Sequence, residues 1–387
     1  MLNILYILHT THPTDGSTKA IMQWLECPDD HIRPVVIVPD TNGIYERLKK
    51  MGIAVYAFPF RSSAYPTPLH SWKDWIMFVP RSFARVHLNT KAYYQTLRII
   101  RQEQIDLVHT NTGIVRFGWH AALKSQIPHI WHIREYAEHI GYHLFPSNDT
   151  HRKELLHSYT VCITRHLQHH YRLSDNSHSY VVYDGVLSKA QVFPVMPKEP
   201  YFLYAGRIEA AKGIDDLLQA FSVYAQRTSL PIPLWLAGSC EADYAQHIQK
   251  EAERLHITQY IEMKGFSNNI LPLMQKASAV IVPSLTEGFG FVMAETQFAG
   301  SLAVVRDIQG LHEQLELGYS ITGNPTALAF ATLQELAQHL TDITQKGIHT
   351  YDAIIRNGQR FAQTTFSLEN NREQITRIYQ SIIHQTL

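Results

Sequence analysis

Short apolar runs alternate along the first half of the chain with polar loops and segments of helical periodicity. The runs lie at residues 3–8, 35–38, 107–109 and 129–133, and helix-like segments lie at 17–25, 45–51 and 115–124. Short continuous apolar runs are typical of strands that are buried on both faces, and the intervening helices would cover those faces. The pattern predicts an α/β domain with a parallel sheet.

The same alternation returns in the second half. Apolar runs at 201–205, 234–237, 261–263, 279–282 and 303–305 predict the strands of a second α/β domain. Between Tyr183 and Pro200 the alternation lapses in a proline-rich stretch, so we place the domain boundary between residues 190 and 191. The second domain is expected to span 191–367. Residues 368–387 are predicted to form a helix that packs back toward the first domain through one apolar face.

Composition restricts the class of protein. The 387 residues include 34 basic and 34 acidic side chains, so no overall charge favours nucleic acid or an anionic surface. The three cysteines, Cys27, Cys162 and Cys240, are odd in number and far apart, which is typical of structural thiols in a reducing cytoplasm. We expect a cytoplasmic protein with neither a signal peptide nor a membrane-spanning helix.

The segment 279–300 combines a strand, a glycine-containing loop and a helix. Glu287 is expected in the loop and Glu295 eight residues later inside the helix. Gly288 and Gly290 would let a ligand approach the backbone, and the free N–H groups at the start of the helix would favour an anion or hydroxyl groups. The alternative is an ordinary strand-to-helix turn with two solvated acids.

A second strand, loop and helix occupy residues 201–221, with Arg207 and Lys212 beside the turn. Two cations near a helix N-terminus would hold a diphosphate and stabilise it as a leaving group. The alternative is a pair of solvated loop charges that do little. This motif alone does not distinguish diphosphate binding from a pair of solvated charges.

Together these segments resemble the retaining glycosyltransferases of family 4, also described as glycosyl transferases group 1. The resemblance lies in Gly206-Arg207, Lys212-Gly213, Gly238, Gly265, Pro283-Ser284, Glu287 and Glu295. It implies the GT-B fold, an α/β architecture in which two Rossmann-like domains border a cleft. The first domain would serve the acceptor, and the second would bind a nucleotide-diphosphate sugar.

The resemblance also implies roles for single residues. Arg207 and Lys212 would bind the donor diphosphate, Glu287 would contact the transferred sugar, and Glu295 would bind the ribose. The donor site would be lined by Gly288, Phe289, Gly290, Phe291 and Val292. In the first domain, Gly16 stands where the family has a glycine pair, and His132 stands where it often has a sugar-contacting histidine. Such enzymes use neither a metal nor another cofactor.

Several positions depart from the family pattern. Asp184-Gly185-Val186 replaces Asn-Gly-Val, Gly300-Ser-Leu-Ala303 replaces Gly-x-Pro-Val, and Gln309-Gly310 replaces a glycine pair. The glycine expected after Gly16 is Ser17. The first change is mild because Asp and Asn share turn preferences. The changes at 300–303 and 309–310 lie near the expected nucleotide base, so the resemblance does not identify the base.

The implied function is a metal-independent transferase of the hexosyltransferase type. It would retain anomeric configuration and move a sugar to a hydroxyl of a glycan or lipid-linked acceptor, in bacterial surface polysaccharide synthesis. Two alternatives share the architecture. One is a non-hydrolysing nucleotide-sugar epimerase, which needs no acceptor, and the other is a non-catalytic subunit that binds a nucleotide sugar.

Three further features of the first domain allow two interpretations each. Residues 71–86 mix Trp72, Trp75, Phe78 and Phe83 with basic residues, which suits either peripheral docking at the inner face of a membrane or packing into the core with Pro80 breaking the helix. Arg134 and Glu135 would serve the acceptor or be solvated surface charges. The histidines at 166, 169 and 170, near Cys162, fit an exposed helix face better than a metal site.

Overall fold

The computed structural model describes residues 1–13, 15–26, 31–66, 72–136, 142–144, 146–191 and 193–386, except the side chains at 66, 74, 142, 385 and 386. Cys27 and Ser71 lie outside the described residues. The chain forms two compact units. The first comprises Met1–Gly185 with Asn371–Leu387, and the second comprises Val186–Asn370.

The first unit contains nine strands and six complete helices in its described part. The strands are β1 (Leu2–Ile7), β2 (Ile32–Val38), β3 (Ala54–Ala57), β4 (Ala64–Pro66), β5 (Leu107–Thr110), β6 (His129–Ile133), β7 (Tyr142–Leu144), β8 (Tyr159–Cys162) and β9 (Ser179–Val181). The helices are α1 (Gly16–Leu25), α2 (Tyr45–Lys50), α3 (Trp72–Gln102), α4 (Phe117–Ser125), α5 (Asn148–Leu156) and α6 (Arg165–His170).

A parallel sheet with the order β3-β2-β1-β5-β6-β8-β9 forms the centre of the first unit, and β4 pairs with β7 in a separate antiparallel ladder. Successive residues of β1 serve opposite faces of the sheet. Ile4 and Tyr6 belong to one buried cluster, whereas Leu5 and Ile7 belong to another. This burial on both faces explains why β1 reads as a continuous apolar run.

The described part of the second unit contains six strands and seven complete α-helices. The strands are β10 (Glu199–Ala205), β11 (Leu234–Ala237), β12 (Ile261–Gly265), β13 (Ala277–Val282), β14 (Ala303–Arg306) and β15 (Leu328–Phe330). The helices are α7 (Ile214–Arg227), α8 (Ala242–Arg254), α9 (Leu271–Lys276), α10 (Phe291–Phe298), α11 (Gln309–Thr322), α12 (Leu333–Lys346) and α13 (Asp352–Thr365). A short 3₁₀ helix, Ala210–Lys212, precedes α7.

The second sheet is also parallel, with the order β12-β11-β10-β13-β14-β15. Along β10, Phe202 and Tyr204 pack into one buried cluster while Tyr201 and Leu203 pack into another. The predicted arrangement, a parallel sheet covered on both faces in each of two Rossmann-like domains, is confirmed.

The chain passes from the first unit to the second at Gly185 and Val186, a few residues before the expected boundary at 190/191. The backbone explains this position. Val186 N–H donates to the carbonyl of Phe366 at 2.8 Å, and Leu368 N–H donates to the carbonyl of Leu187 at 3.0 Å. These bonds attach residues 186 and 187 to the second unit, upstream of the prolines that suggested the boundary.

A final helix, α14 (Leu368–Thr386), begins in the second unit and continues into the first from Asn371 onward. Its apolar positions Ile375, Ile378, Tyr379 and Ile382 are buried in the cluster that also contains Ile4 and Tyr6. Asn371 donates to the carbonyl of Tyr183 at 2.7 Å. The last part of the chain is therefore integral to the first unit.

Helix α3 continues through Pro80, so the interpretation in which Pro80 breaks the helix is wrong. Proline removes one backbone donor, but the helix extends for about six further turns beyond it and packs Ala92, Ile99 and Ile100 into the core. Among the described residues, no helix has both the length and the uniform apolarity needed to cross a membrane.

Candidate functional site

The order of strands in the second unit places two loops beside each other. From β10 the chain proceeds outward to β11 and β12, and then returns to β13 on the opposite side of β10. The loops that follow β10 and β13 therefore share the carboxyl edge of the sheet at a topological switch point. Ligands of open α/β sheets bind at such points. These are the two loops that carry Arg207 with Lys212 and Glu287.

Backbone contacts hold the two loops together. Leu285 N–H donates to the carbonyl of Ala211 at 3.1 Å. Gly213 has φ +71°, and a Cβ atom at this position would lie 2.1 Å from the carbonyl oxygen of Pro283. Only glycine allows so close an approach in this conformation. Gly213 thus fixes the position of Lys212 relative to the loop after β13.

Lys212 and Glu287 form an ion pair across these loops. Lys212 Nζ donates to Glu287 Oε1 at 2.6 Å, and the Ser284 hydroxyl donates to the same oxygen at 2.9 Å. The side chains are 24% and 17% exposed, respectively. The interpretation of Lys212 and Glu287 as fully solvated charges is therefore wrong, because both are largely buried and paired.

Arg207 remains more accessible than Lys212. Its side chain is 56% exposed, and its Nη2 lies 3.3 Å from Glu209 Oε1. Its carbonyl accepts a hydrogen bond from the Tyr204 hydroxyl. Burial, together with the nearby Glu287 and Glu209 carboxylates, raises the pKa of Tyr204. Tyr204 therefore remains protonated and fixes the backbone beside the Arg207 guanidinium.

Side chains of α11 hold the loop that contains Glu287. Gln309 Oε1 accepts from the Thr286 hydroxyl and from Glu287 N–H, both at 2.9 Å. Gln314 Nε2 donates to the carbonyls of Phe289 at 2.6 Å and Gly290 at 3.3 Å. Sequence reasoning treated Gln309 only as a departure from the family and missed this function. Its long amide side chain at the start of a helix was the available signal.

Two glycines permit close packing at the beginning of α10. Gly290 has φ +97° and immediately precedes the helix, and a Cβ atom there would lie 2.5 Å from Leu311 Cδ2. A Cβ atom on Gly310 would lie 2.3 Å from the carbonyl oxygen of Gly288. Helix α10 starts directly after this loop, so its first N–H groups lie beside residues 287–290.

The remaining residues of this segment lie at different depths. Glu295 is within α10, as predicted, and is only 7% exposed. Phe289 is buried and packs against Phe291 and Phe366 at centroid distances of 5.3 and 5.1 Å. Gly288 and Val292 border the same turn. The aromatic packing anchors the loop in addition to the hydrogen bonds of Gln309 and Gln314.

In the first unit, the predicted residues lie toward the carboxyl ends of β1 and β6, the two strands that border β5. Gly16 is the first residue of α1, after the loop that follows β1, and Asp15 caps this helix by accepting from Ser17 N–H at 2.9 Å. His132 is in β6, which is adjacent to β5; β5 in turn separates β6 from β1. Gly16 therefore begins a capped helix, with Ser17 in place of a second glycine.

A buried chain of hydrogen bonds orients His132. Its Nδ1 lies 3.0 Å from His109 Nε2, and His109 Nδ1 lies 2.5 Å from the Tyr379 hydroxyl. Arg134 Nη2 also donates to His132 Nδ1, at 3.4 Å. Because Arg is only a donor, Nδ1 must accept, and the proton of neutral His132 is on Nε2. No described residue hydrogen-bonds this Nε2 atom.

Burial keeps both histidines neutral. It lowers the pKa of His132 well below the ordinary value, with smaller contributions from Arg134 and His109. Burial also lowers the pKa of His109 to about 3, assisted by Arg134. His132 therefore presents a fixed hydrogen-bond donor rather than a titratable base at neutral pH.

Arg134 and Glu135 are not solvated surface charges, so that interpretation is wrong. Arg134 Nη1 donates to both carboxylate oxygens of Asp184 at 2.7 Å, and the two side chains are 8% and 2% exposed. Arg134 Nε donates to Asn111 at 2.9 Å. Glu135 accepts from Gly113 N–H at 2.8 Å. Arg134 thus compensates the buried charge of Asp184, one of the departures from the family pattern.

The histidine cluster on α6 has structural contacts. His166 Nδ1 lies 2.8 Å from the Tyr136 hydroxyl, and His170 packs against the Tyr136 ring at a centroid distance of 5.3 Å. Within the described part of the chain, no group of three or more His, Cys, Asp or Glu side chains is arranged to hold a metal ion. Cys162 is buried and Cys240 is partly buried.

Comparison with known proteins finds a similarity to one family in the second unit. Residues 188–361 match the family described as glycosyl transferases group 1. An uncharacterized glycosyltransferase of Methanocaldococcus jannaschii is 25% identical over 193 residues, which cover 48% of this chain and 46% of the relative. The O-antigen chain mannosyltransferase of Salmonella typhimurium is 29% identical over 147 residues, covering 37% of this chain and 40% of the relative. The chain spans less than half the length of each relative.

Solved structures show the fold over nearly the whole chain. The crystal structure of Anabaena HepE in complex with UDP and glucose matches with a TM-score of 0.74 and 18% identity. The match covers 98% of this chain and 100% of HepE. The two units therefore have the GT-B fold, and the second unit carries the sequence match to the glycosyl transferases group 1 family.

Proposed function

We propose that this protein transfers a sugar from a nucleotide-diphosphate sugar to a hydroxyl group of a glycan or lipid-linked acceptor. The observation that carries this proposal is the Lys212–Glu287 pair at the switch point of the family-matched unit, with the accessible Arg207 on the same loop as Lys212. A cation, a carboxylate and a helix N-terminus at one edge of the sheet suit the diphosphate and the sugar of such a donor.

Charge stabilisation of the leaving group is the central step of the proposed reaction. Arg207 and Lys212 would bind the donor diphosphate and offset the negative charge that develops as the glycosidic bond breaks. The first N–H groups of α10, next to Gly288, Phe289, Gly290, Phe291 and Val292, would add positive potential. Glu287 would accept hydrogen bonds from the sugar, and Glu295 would bind the ribose.

The first unit would contribute to sugar and acceptor binding. His132 would donate from Nε2 to a hydroxyl of the transferred sugar, and Gly16 would let a ligand approach the backbone at the start of α1. The family resemblance supports a metal-independent reaction that retains anomeric configuration. In it, the acceptor hydroxyl would attack the same face that the diphosphate leaves and pass its proton to the departing diphosphate. No side chain would need to form a covalent intermediate.

The biological setting proposed is synthesis of a bacterial surface polysaccharide. The Salmonella relative is named as an O-antigen chain mannosyltransferase, and HepE was crystallised with UDP and glucose. These names support a uridine or related nucleotide donor and a glycan acceptor. A cytoplasmic location with peripheral contact at the inner face of the membrane fits a lipid-linked acceptor.

A thermal-shift screen tests the donor site. Purified protein is mixed with UDP, GDP, ADP and their common sugar conjugates, because a ligand that binds the native state raises its apparent stability. We expect stabilisation by one nucleotide class, its loss in Arg207→Ala, and its retention in the control Arg356→Ala, whose side chain is 72% exposed in the same unit. No shift with any nucleotide at millimolar concentration contradicts the proposal.

Product analysis separates the remaining functions. With the stabilising donor and a mixture of glycan and lipid-linked acceptors, a transferase yields a sugar-extended acceptor and free nucleoside diphosphate. Conversion of the donor into its epimer without an acceptor would instead establish an epimerase. Binding without turnover under any condition would establish a non-catalytic subunit.

A further inference from the structure

The outward face of helix α3 combines an apolar stripe with a basic groove. The stripe consists of Trp72, Trp75, Ile76, Val79, Phe83 and Val86. Their spacing of three or four residues places them on one side of the helix. All six are exposed, with Trp72, Trp75 and Phe83 at 68%, 67% and 73%. The alternative in which these aromatic residues pack into the core is therefore wrong.

The opposite side of the same helix holds it to the first unit. Phe78 packs against the Tyr65 ring at a centroid distance of 5.4 Å. Farther along, Ala92, Thr96 and Ile99 are buried. The amphipathic pattern is therefore reversed over the first turns, where the more apolar side faces outward. Exposed apolar side chains that adjoin one another on one helix face are typical of an interaction site.

The outward face continues into a groove lined by cations. Tyr94, Arg98 and Arg101 follow the apolar stripe at the same helical spacing. With Tyr93 of α3 and Lys124 of α4 they line a groove of about 820 Å³. None of the described residues that line this groove is acidic. Along α3 as a whole, six residues are basic and only Asp74 is acidic, in a chain whose total charges balance.

We propose that this face of α3 docks on a membrane surface that contains anionic phospholipid. The apolar stripe would enter the boundary between headgroups and acyl chains, and the groove would receive lipid phosphates. The apolar stripe and the basic groove follow each other along one helix, and this order supports a membrane surface over a protein partner. A bilayer offers apolar depth and anionic phosphate side by side, and Trp with flanking basic residues is typical of helices that lie in the interface.

Vesicle flotation of the full chain tests the proposal independently of any nucleotide. We compare phosphatidylcholine vesicles with vesicles that also contain phosphatidylglycerol. The expected result is flotation with the anionic vesicles and its loss at high salt. Trp72→Ser/Trp75→Ser/Phe83→Ser should weaken vesicle binding at least about tenfold. Arg98→Gln/Arg101→Gln/Lys124→Gln should weaken it by a factor on the order of a hundred.

The control replaces exposed apolar residues of the second unit, in Leu230→Ser/Met263→Ser/Phe266→Ser, and should bind vesicles like the wild type. Absence of wild-type flotation, or equal loss in the control, overturns the proposal. A concentration-dependent dimer that the α3 variant abolishes, without vesicle binding, would assign the face to a second copy instead. Cooperative thermal unfolding of each variant near the wild-type midpoint, measured without nucleotide, confirms folding, so failure here is distinguishable from failure of the proposed transferase.

Discussion

Lys212 Nζ lies 2.6 Å from Glu287 Oε1, although 75 positions separate the two residues along the chain. The pair joins the loop assigned to the diphosphate with the loop assigned to the sugar. In the proposed reaction Lys212 must also serve the donor phosphate. The ion pair would therefore position Lys212 before the donor binds. Substitution of Lys212 and substitution of Glu287 should then have different effects on donor binding and on catalysis.

Replacing Lys212 by Met should lower kcat/KM by a factor of about 10²–10³, because one fixed charge that stabilises the leaving group is lost. It should also weaken binding of the nucleoside diphosphate. Glu287→Gln should lower kcat while leaving the dissociation constant of the nucleoside diphosphate within a few fold. Steady-state kinetics and calorimetry measure both. Lys346→Met, at a 57% exposed lysine, is the control. Equal loss of nucleotide affinity in Lys212→Met and Glu287→Gln would contradict the separate roles.

Gly213→Ala should disrupt the donor site because the new Cβ atom would collide with the neighbouring loop, in addition to the strain of a positive φ angle. The new Cβ would lie 2.1 Å from Pro283 O, so the two loops must separate. Gly323→Ala is a matched control, because its φ of +69° is nearly that of Gly213 at +71° but no atom lies within 4 Å. The control should cost about 1 kcal/mol of unfolding free energy. Gly213→Ala should cost more and abolish the nucleotide-induced thermal shift. Similar behaviour of the two variants would show that the loops adjust without cost.

The sequence alone was enough to predict the two parallel sheets. Strand β1 illustrates the reason: Ile4, Leu5, Tyr6 and Ile7 are all buried, half against each face, so the apolar run itself encodes the environment. The roles of Gln309 and Arg134 were not accessible in the same way. Each depends on a partner distant in sequence, Glu287 N–H for Gln309 and Asp184 for Arg134. Local patterns do not specify which distant polar groups meet.

Helix α3 shows a different limit of sequence reasoning. The aromatic content of residues 72–86 fits burial and exposure equally well, because periodicity identifies a face but not what covers it. The structure resolves this by burying the C-terminal part of α3, at Ala92 and Ile99, and leaving Trp72 and Trp75 exposed. The presence of Pro80 did not predict whether the helix continues, because tertiary packing of the residues after Pro80 stabilises the helix.

Arg134→Met should destabilise the first unit by about 3–5 kcal/mol, because it leaves the buried Asp184 carboxylate without its partner. Burial already raises the pKa of Asp184, although Arg134 opposes this effect. Adding Asp184→Asn should therefore recover part of the lost unfolding free energy. Urea denaturation of the single and double variants measures this coupling. Additive losses in the double variant would show that the ion pair does not determine the stability of this core.

Tyr379→Phe should test whether the terminal helix α14 orients His132 through His109. Removing the hydroxyl leaves His109 Nδ1 without its 2.5 Å partner and should cost about 1–3 kcal/mol of unfolding free energy. Nitrogen-15 spectra of the histidine rings should show a changed tautomer population at His109 and His132. The exposed Tyr94→Phe serves as the control. If the histidine spectra are unchanged while the free energy of unfolding falls, Tyr379 contributes to packing and does not orient His132.

Glu154 should make the first unit sensitive to acid. Burial opposes ionisation of its carboxyl group, but His151 and the Arg116 guanidinium outweigh burial and lower the pKa to about 2. A carboxyl whose pKa is lower in the folded than in the unfolded state stabilises the fold above its unfolded pKa, near 4.5, and loses this contribution as the pH falls toward 2. Glu154→Gln should therefore lower the unfolding free energy at pH 7 by about 1–3 kcal/mol.

The difference between wild type and Glu154→Gln should shrink steadily between pH 4.5 and 2, because both then carry a neutral side chain facing Arg116. Denaturant unfolding at a series of pH values measures the difference at each point. Asp149→Asn provides the control from the same helix, since Asp149 is 87% exposed and its carboxyl is solvated in both states. A Glu154→Gln difference that stays constant down to pH 2 would mean that Arg116 does not depend on the charge of Glu154, and the packing of the side chain would then account for the whole effect.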